Sequence, residues 1–180
     1  QIGNEKIISM HYADDATISI IQNRCFKEVI KDLDLFEKAT GAKINYDKTK
    51  GLWLGKWRNR LDTPMNIKWS NTNVKYLGVY VGNNSPEKAT FEDIKIKVIR
   101  RSNYWKQFHL CKLSKARTIE IFITPLLWYA AKFYPIPPHI SKSIQNVLFD
   151  YSNFPRKKIT ISQEECSKLR LHGGTKLINI

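Results

Sequence analysis

The sequence has no uninterrupted apolar run approaching the roughly 20 residues of a membrane-spanning helix, so no membrane partner is expected. It is poor in cysteine. Cys25, Cys111 and Cys166 are an odd, widely spaced set, which argues against a disulfide framework. With no secretory leader at the start, they point to free thiols in a reducing, intracellular compartment. His109 with Cys111 and Cys166 with His172 lack the close double spacing of a zinc module and read as ordinary side chains. Internal repeats and low-complexity tracts are missing too, which excludes a solenoid. Carboxylates are scarce: 16 Asp and Glu face 30 Lys and Arg, a formal net charge of +14. A chain that is 42% hydrophobic and 12% aromatic is nonetheless too apolar to stay disordered.

The basic excess is the footprint of a polyanion partner, most often nucleic acid. It is uneven. Residues 1–90 carry 14 basic and 10 acidic groups, and residues 91–180 carry 16 and 6. The second half is therefore expected to grip phosphates, while the first keeps carboxylates for another task.

Two short extended runs in 7–21 flank the polar break His11-Tyr12-Ala13-Asp14-Asp15, which predicts a hairpin with acids at its turn. Phe26, Val29, Ile30, Leu33, Phe36 and Ala39 recur at helical steps, and Gly41 stands where a left-handed residue ends a helix. Residues 43–55 read as a strand with a turn at 45–50, and 56–70 as a basic, Trp-containing connector. Residues 74–81 return to strand character, with Gly78 inside. The turn-rich segment 83–88 is the expected domain boundary. Beyond it, Thr90 and Asp93 have capping-box spacing, and Ile94, Val98, Trp105 and Phe108 continue a helix to about residue 110. A second helix is expected over 115–134, apolar on most faces at 121–131 and kinked by Pro125. Ile140, Ile144, Val147, Leu148 and Tyr151 predict a third. Trp105 and Trp128 are expected in the core.

Adjacent aspartates on a tight turn are what nucleotidyl transfer asks of a protein. The reaction needs Mg²⁺ ions steadying the attacking and leaving oxygens, and Mg²⁺ prefers hard carboxylate oxygens plus substrate phosphates. An Asp-Asp turn alone is also an ordinary polar turn. Its surroundings are less ordinary. Tyr12-Ala13-Asp14-Asp15 resembles the Tyr-x-Asp-Asp motif of reverse transcriptases. Thr40-Gly41-Ala42-Lys43-Ile44-Asn45, Lys48-Thr49 and Leu52-Trp53-Leu54-Gly55 then resemble the next palm motif of LINE-type (non-LTR) retrotransposon enzymes. Lys75-Tyr76-Leu77-Gly78-Val79 resembles the primer-gripping hairpin, and Ser114-Lys115-Ala116-Arg117, Pro125-Leu126-Leu127-Trp128-Tyr129 and residues 135–138 resemble thumb segments. The pattern departs from the family at Tyr151-Ser152-Asn153-Phe154, which lacks a Trp, and at Gly173-Gly174-Thr175-Lys176-Leu177.

The resemblance implies an α+β chain: a partial polymerase palm of β-hairpins plus a helix at 1–82, a linker at 83–88, a helical thumb at 89–154, and a basic tail of uncertain fold at 155–180. It implies RNA-directed DNA synthesis with Mg²⁺ (or Mn²⁺), deoxynucleoside triphosphates, an RNA template, a DNA primer and the RNA–DNA hybrid between them. Asp14 and Asp15 would be metal ligands, and Lys43 or Lys48 would approach the triphosphate and protonate the leaving group. Lys75, Tyr76, Leu77 and Gly78 would form the primer grip. Arg100, Arg101, Lys106, Lys112, Lys115 and Arg117 would contact phosphates and so read shape rather than bases. Nucleus and cytoplasm, in a ribonucleoprotein, are the expected location. A start at Gln1 has the look of an internal cut. The family's fingers and further catalytic aspartate lie upstream of the Asp-Asp motif, so this polypeptide alone is expected to be inactive. The alternatives are a decayed or domesticated nucleic-acid-binding remnant without chemistry, and a maturase-like RNA-binding protein.

Overall fold

The computed structural model describes residues 8–155 and 162–168. The chain divides between Val74 and Lys75 into two compact units.

In the first unit, β1 (Ile8–Tyr12) and β2 (Asp15–Ser19) form an antiparallel hairpin with Tyr12 opposite Asp15 and Met10 opposite Thr17. It pairs with no other described strand. The helix α1 (Cys25–Thr40) follows and stops at Gly41, whose φ of 73° and N–H bond to the Glu37 carbonyl make the expected left-handed cap. Only its first turns are covered: Cys25, Phe26 and Val29 are buried, whereas Ile30 and Phe36, on the same predicted stripe, are exposed. The strands β3 (Lys50–Leu52) and β4 (Lys68–Ser70) pair in parallel, with Gly51 opposite Trp69.

The core of this unit is an aromatic cluster that periodicity did not announce. The Trp53 and Trp69 rings stack with centroids 4.0 Å apart, and the Phe26 ring meets them edge-on at 6.1 and 5.8 Å. Trp57 closes the group 5.8 Å from Trp53. Gly51 is what admits this packing, because a Cβ there would fall within the Trp69 indole. The Arg60 guanidinium lies 4.5 Å from the Trp53 ring centre and 5.1 Å from that of Trp57, within cation–π range. Its own donors reach Asp62 and Asn23. The stretch 56–70 is therefore part of a packed unit, not a bare connector.

The second unit begins within β5 (Asn73–Tyr76), which pairs with β6 (Val79–Gly82), and continues as helices. Helix α2 (Pro86–Trp105) begins a turn before Thr90, inside the expected linker. Thr90 does not cap it. Its hydroxyl accepts from the Tyr80 N–H at 2.9 Å, so the capping-box spacing serves a tertiary contact instead. Helix α3 (Lys112–Thr118) runs into a π-helical segment (Ile119–Ile123) and then α4 (Pro125–Ala131). The expected kink at Pro125 is realised as this wider turn. Pro125 has no N–H to give, and the Thr124 N–H reaches back five residues to the Ile119 carbonyl at 2.9 Å. The inserted residue keeps Ile119, Ile123, Leu127 and Ala130 in phase, all fully buried. Ile121, Phe122 and Trp128 face outward, which corrects both the all-round burial expected of 121–131 and the core position expected of Trp128.

Helix α5 (Pro138–Asn153) buries Ile140, Ile144, Leu148 and Tyr151 against Phe91, Ile94 and Val98 of α2. Truncating any of these aliphatic side chains to Ala would cost on the order of 2–5 kcal/mol. Trp105 packs half-buried at the edge of this core, and Cys166 of the short α6 (Gln163–Ser167) lies within it. His172 and the 173–177 stretch lie outside the described residues. None of the described helices is long and apolar enough to cross a membrane.

Candidate functional site

Asp14 sits at the two-residue turn of the first hairpin and Asp15 opens β2. Ala13, the first turn residue, has a φ of 52°, the positive value that two-residue hairpin loops demand. The tight loop thus fixes both aspartate backbones. Both side chains are exposed, and neither makes an ion pair or hydrogen bond among the described residues. They offer adjacent hard oxygen donors on one turn. No group of three or more His, Cys, Asp or Glu that could hold a metal occurs among the described residues.

Lys43 and Lys48 lie in the loop between α1 and β3, both exposed. That loop is tied by its own side chains. The Ile44 N–H donates to the Glu37 carboxylate at 2.8 Å, the Lys48 N–H to the Asn45 side-chain oxygen at 3.0 Å, and the Thr49 hydroxyl to the Asn45 carbonyl at 2.8 Å. The two ammonium groups stay free of ion pairs among the described residues while the backbone beneath them is held.

The Lys75–Gly78 hairpin is anchored by side chains of the residues that follow it. Leu77 and Gly78 make its turn with φ of 45° and 88°, the double left-handed geometry of a tight hairpin loop. The Tyr129 hydroxyl donates to the Leu77 carbonyl at 2.6 Å, and the Tyr134 hydroxyl to the Tyr80 carbonyl at 3.0 Å. The Lys75 ammonium bonds the Asp93 carboxylate at 2.6 Å, with Lys97 joining at 3.2 Å. The hydrogen bond from Lys75 holds the Asp93 carboxyl below its ordinary range, and the same bond holds Lys75 above its own. Sequence reasoning named the hairpin but missed these anchors. Nothing local to Tyr129 signals this role, and the spacing of Asp93 from Thr90 predicts a helix cap instead.

The six candidate phosphate contacts differ in exposure. Arg100, Arg101 and Arg117 are exposed. Arg101 also donates to the Phe122 carbonyl, and the half-buried Lys106 places its ammonium 5.6 Å from the Phe154 ring centre. Lys115 is set apart by its burial. It is 5% exposed, and its ammonium donates to the Phe154 carbonyl, tying α3 to the end of α5. The Lys112 ammonium is covered as well, without a hydrogen-bond partner among the described residues. It shares a recess of about 300 Å³ with Lys115, Cys111, Ser152, Asn153 and Phe154. The exposed Cys111 thiol there is held below its usual range by the Ser114 hydroxyl, 3.3 Å away. A separate open cleft of about 350 Å³ is lined by Arg100, Arg101, Tyr104, Trp105 and Phe122.

No protein-family model matches the chain. Over 152 residues it is 26% identical to the Transposon TX1 uncharacterized 149 kDa protein of Xenopus laevis, an alignment covering 81% of this chain and 12% of that protein. The chain thus spans a small part of the length of the relative it matches, and its distant similarity is to a transposon protein.

Proposed function

We propose that this chain is palm-and-thumb sequence of a retroelement reverse transcriptase, with the first unit carrying part of the catalytic palm and the helices of the second acting as the thumb. The observation that carries the reading is the Asp14–Asp15 turn: two adjacent, exposed carboxylates on a geometrically fixed loop, unengaged among the described residues. The similarity to a transposon protein supports the same class of origin. The donor set suits Mg²⁺ or Mn²⁺, which take one or two carboxylates and complete their shell with phosphates and water. Asp14 and Asp15 would hold the metal ions. Bound ions would supply charge stabilisation at the attacking and leaving oxygens.

The rest is positioning and proton handling by this chain's own residues. Lys43 or Lys48 would meet the triphosphate and return a proton to the leaving pyrophosphate. The Leu77–Gly78 turn would bring backbone to the primer end, and its anchoring by Tyr129, Tyr134 and Asp93 supports that role, since a grip works by being rigid. Arg100, Arg101, Lys106 and Arg117 would meet phosphates of an RNA–DNA hybrid.

Primer extension on an RNA template tests this, using a polypeptide in which fingers and a further aspartate-bearing strand are joined ahead of this chain. Asp14→Ala is expected to abolish extension. Extension that survives the substitution removes the metal-site assignment. A joined polypeptide that binds hybrid yet never extends a primer favours a non-catalytic, nucleic-acid-binding role.

A further inference from the structure

The cleft beside Arg100 is built from one end of α2 and the π-helical segment. Arg100 and Tyr104 are four residues apart, as are Arg101 and Trp105, so each cation lies beside an aromatic along the helix surface. Across the gap, the Phe122 ring lies 5.0 Å from Trp105. Phe108 lies 5.3 Å from Trp105 and 5.6 Å from Tyr104.

Three of these four rings face solvent: Tyr104 is 56% exposed, Phe122 44% and Phe108 43%. Exposing them is unfavourable, and an apolar patch of this kind commonly marks a contact site. The cleft volume of about 350 Å³ falls in the range of small-ligand sites. Among the described residues no carboxylate lines it.

The two arginines differ in what they can do. Arg101 gives one donor to the Phe122 carbonyl and so braces the wall. Arg100 is exposed and makes no ion pair or hydrogen bond among the described residues, which leaves its guanidinium for an anion. A free guanidinium beside exposed ring faces matches one ligand chemistry closely, a flat π-system carrying a phosphate.

We propose that this cleft binds an unpaired nucleotide of single-stranded nucleic acid, its base stacked on Tyr104 and Phe122 and its phosphate held by Arg100. The inference rests on the nucleic-acid part of the function proposed above but not on its catalysis. It adds a single-strand site to the expected duplex grip. Paired bases cannot enter, because stacking on a side chain needs an unstacked, exposed face.

The test uses the full chain and four fluorescent probes of equal length: oligo(dT), oligo(rU), an abasic DNA strand, and a DNA duplex. Oligo(dT) is expected to bind about tenfold more tightly than the abasic strand, and Tyr104→Ala to erase that margin, as loss of a stacked aromatic does. Tyr104→Phe keeps the ring and should keep the margin. Tyr104 is mostly exposed, so both variants are expected to fold, with circular dichroism as the check. Comparable margins for oligo(dT) and oligo(rU) over the abasic strand mark the base as the ligand. A margin for only one marks sugar recognition and overturns a pure stacking site. Equal binding of oligo(dT) and the abasic strand also overturns the proposal, while retained duplex binding in that case leaves the thumb reading intact. Loss of both single-strand and duplex binding overturns the two together.

Discussion

Gly78 stands in the turn that the Tyr129 hydroxyl anchors. Its φ of 88° lies beyond the left-handed well that L-residues use, and a Cβ placed on it would meet the Tyr129 Cε1 at 3.4 Å, an ordinary contact. Gly78→Ala should therefore act through the backbone and not through a clash. Forcing an L-residue into that region costs about 1–2 kcal/mol. Reduced freedom of the unfolded chain returns roughly 0.4–1 kcal/mol, so the net loss should be of the order of 1 kcal/mol. For a unit of this size that shifts the melting midpoint by about 4–8 °C.

Asn tolerates left-handed backbone better than Ala, so the order of stability should be Gly78, then Asn, then Ala. The Tyr129→Phe variant removes the bond to the Leu77 carbonyl and should cost about 0.5–1.5 kcal/mol, towards the low end because the hydroxyl is near solvent. The two substitutions act on one turn. The double variant is expected to depart from additivity by about 0.5 kcal/mol or more. Urea unfolding of the full chain, followed by far-ultraviolet circular dichroism, measures all four. A stable Gly78→Ala variant, or strict additivity with Tyr129→Phe, would show that the turn is not held as described.

Gly51→Ala places a methyl group within the Trp69 ring and should destabilise the first unit by on the order of 1–3 kcal/mol, read as a lower denaturation midpoint by tryptophan fluorescence. Lys115→Ala should cost roughly 1–3 kcal/mol of stability while leaving the salt dependence of duplex binding unchanged. Arg100→Gln and Arg117→Gln should do the reverse, each flattening the salt slope by about one ion. The Lys75–Asp93 pair should add stability above the ordinary carboxylate pKa, and that contribution should fade as pH drops through the lower folded value of Asp93. At the alkaline end, Lys75 is raised, so its contribution is complete below the ordinary lysine pKa and is lost as pH rises through the folded value. Asp93→Asn should remove the acid limb of that dependence, measured as midpoint against pH.

Local signals carried a good part of the molecule. The three-and-four-residue recurrence of Ile140, Ile144, Leu148 and Tyr151 gave helix α5 and its buried face together. Gly41 gave the end of α1, and the polar break at 11–15 gave the first hairpin with its aspartates at the turn. Such features follow from backbone geometry over a few residues, so the order of side chains was enough to place them. The charge imbalance between the halves was equally legible, being a property of composition.

Partners far apart in sequence decided the rest. Nothing local marks Gly51 as the seat of Trp69, or Arg60 as a cover for two indoles, because those contacts exist only once β3 and β4 align in parallel. Thr90 and Asp93 have the spacing of a helix cap, yet the hairpin arriving from Lys75–Tyr80 offered them better partners. Lys115 reads as a surface cation until the end of α5 brings a carbonyl over it, and Trp128 reads as core until the π-turn before Pro125 sets the phase of α4. Charge and hydrophobicity decide what a residue prefers. Packing decides which preference is met, since each buried face or ammonium must compete for the few partners the folded chain brings within reach.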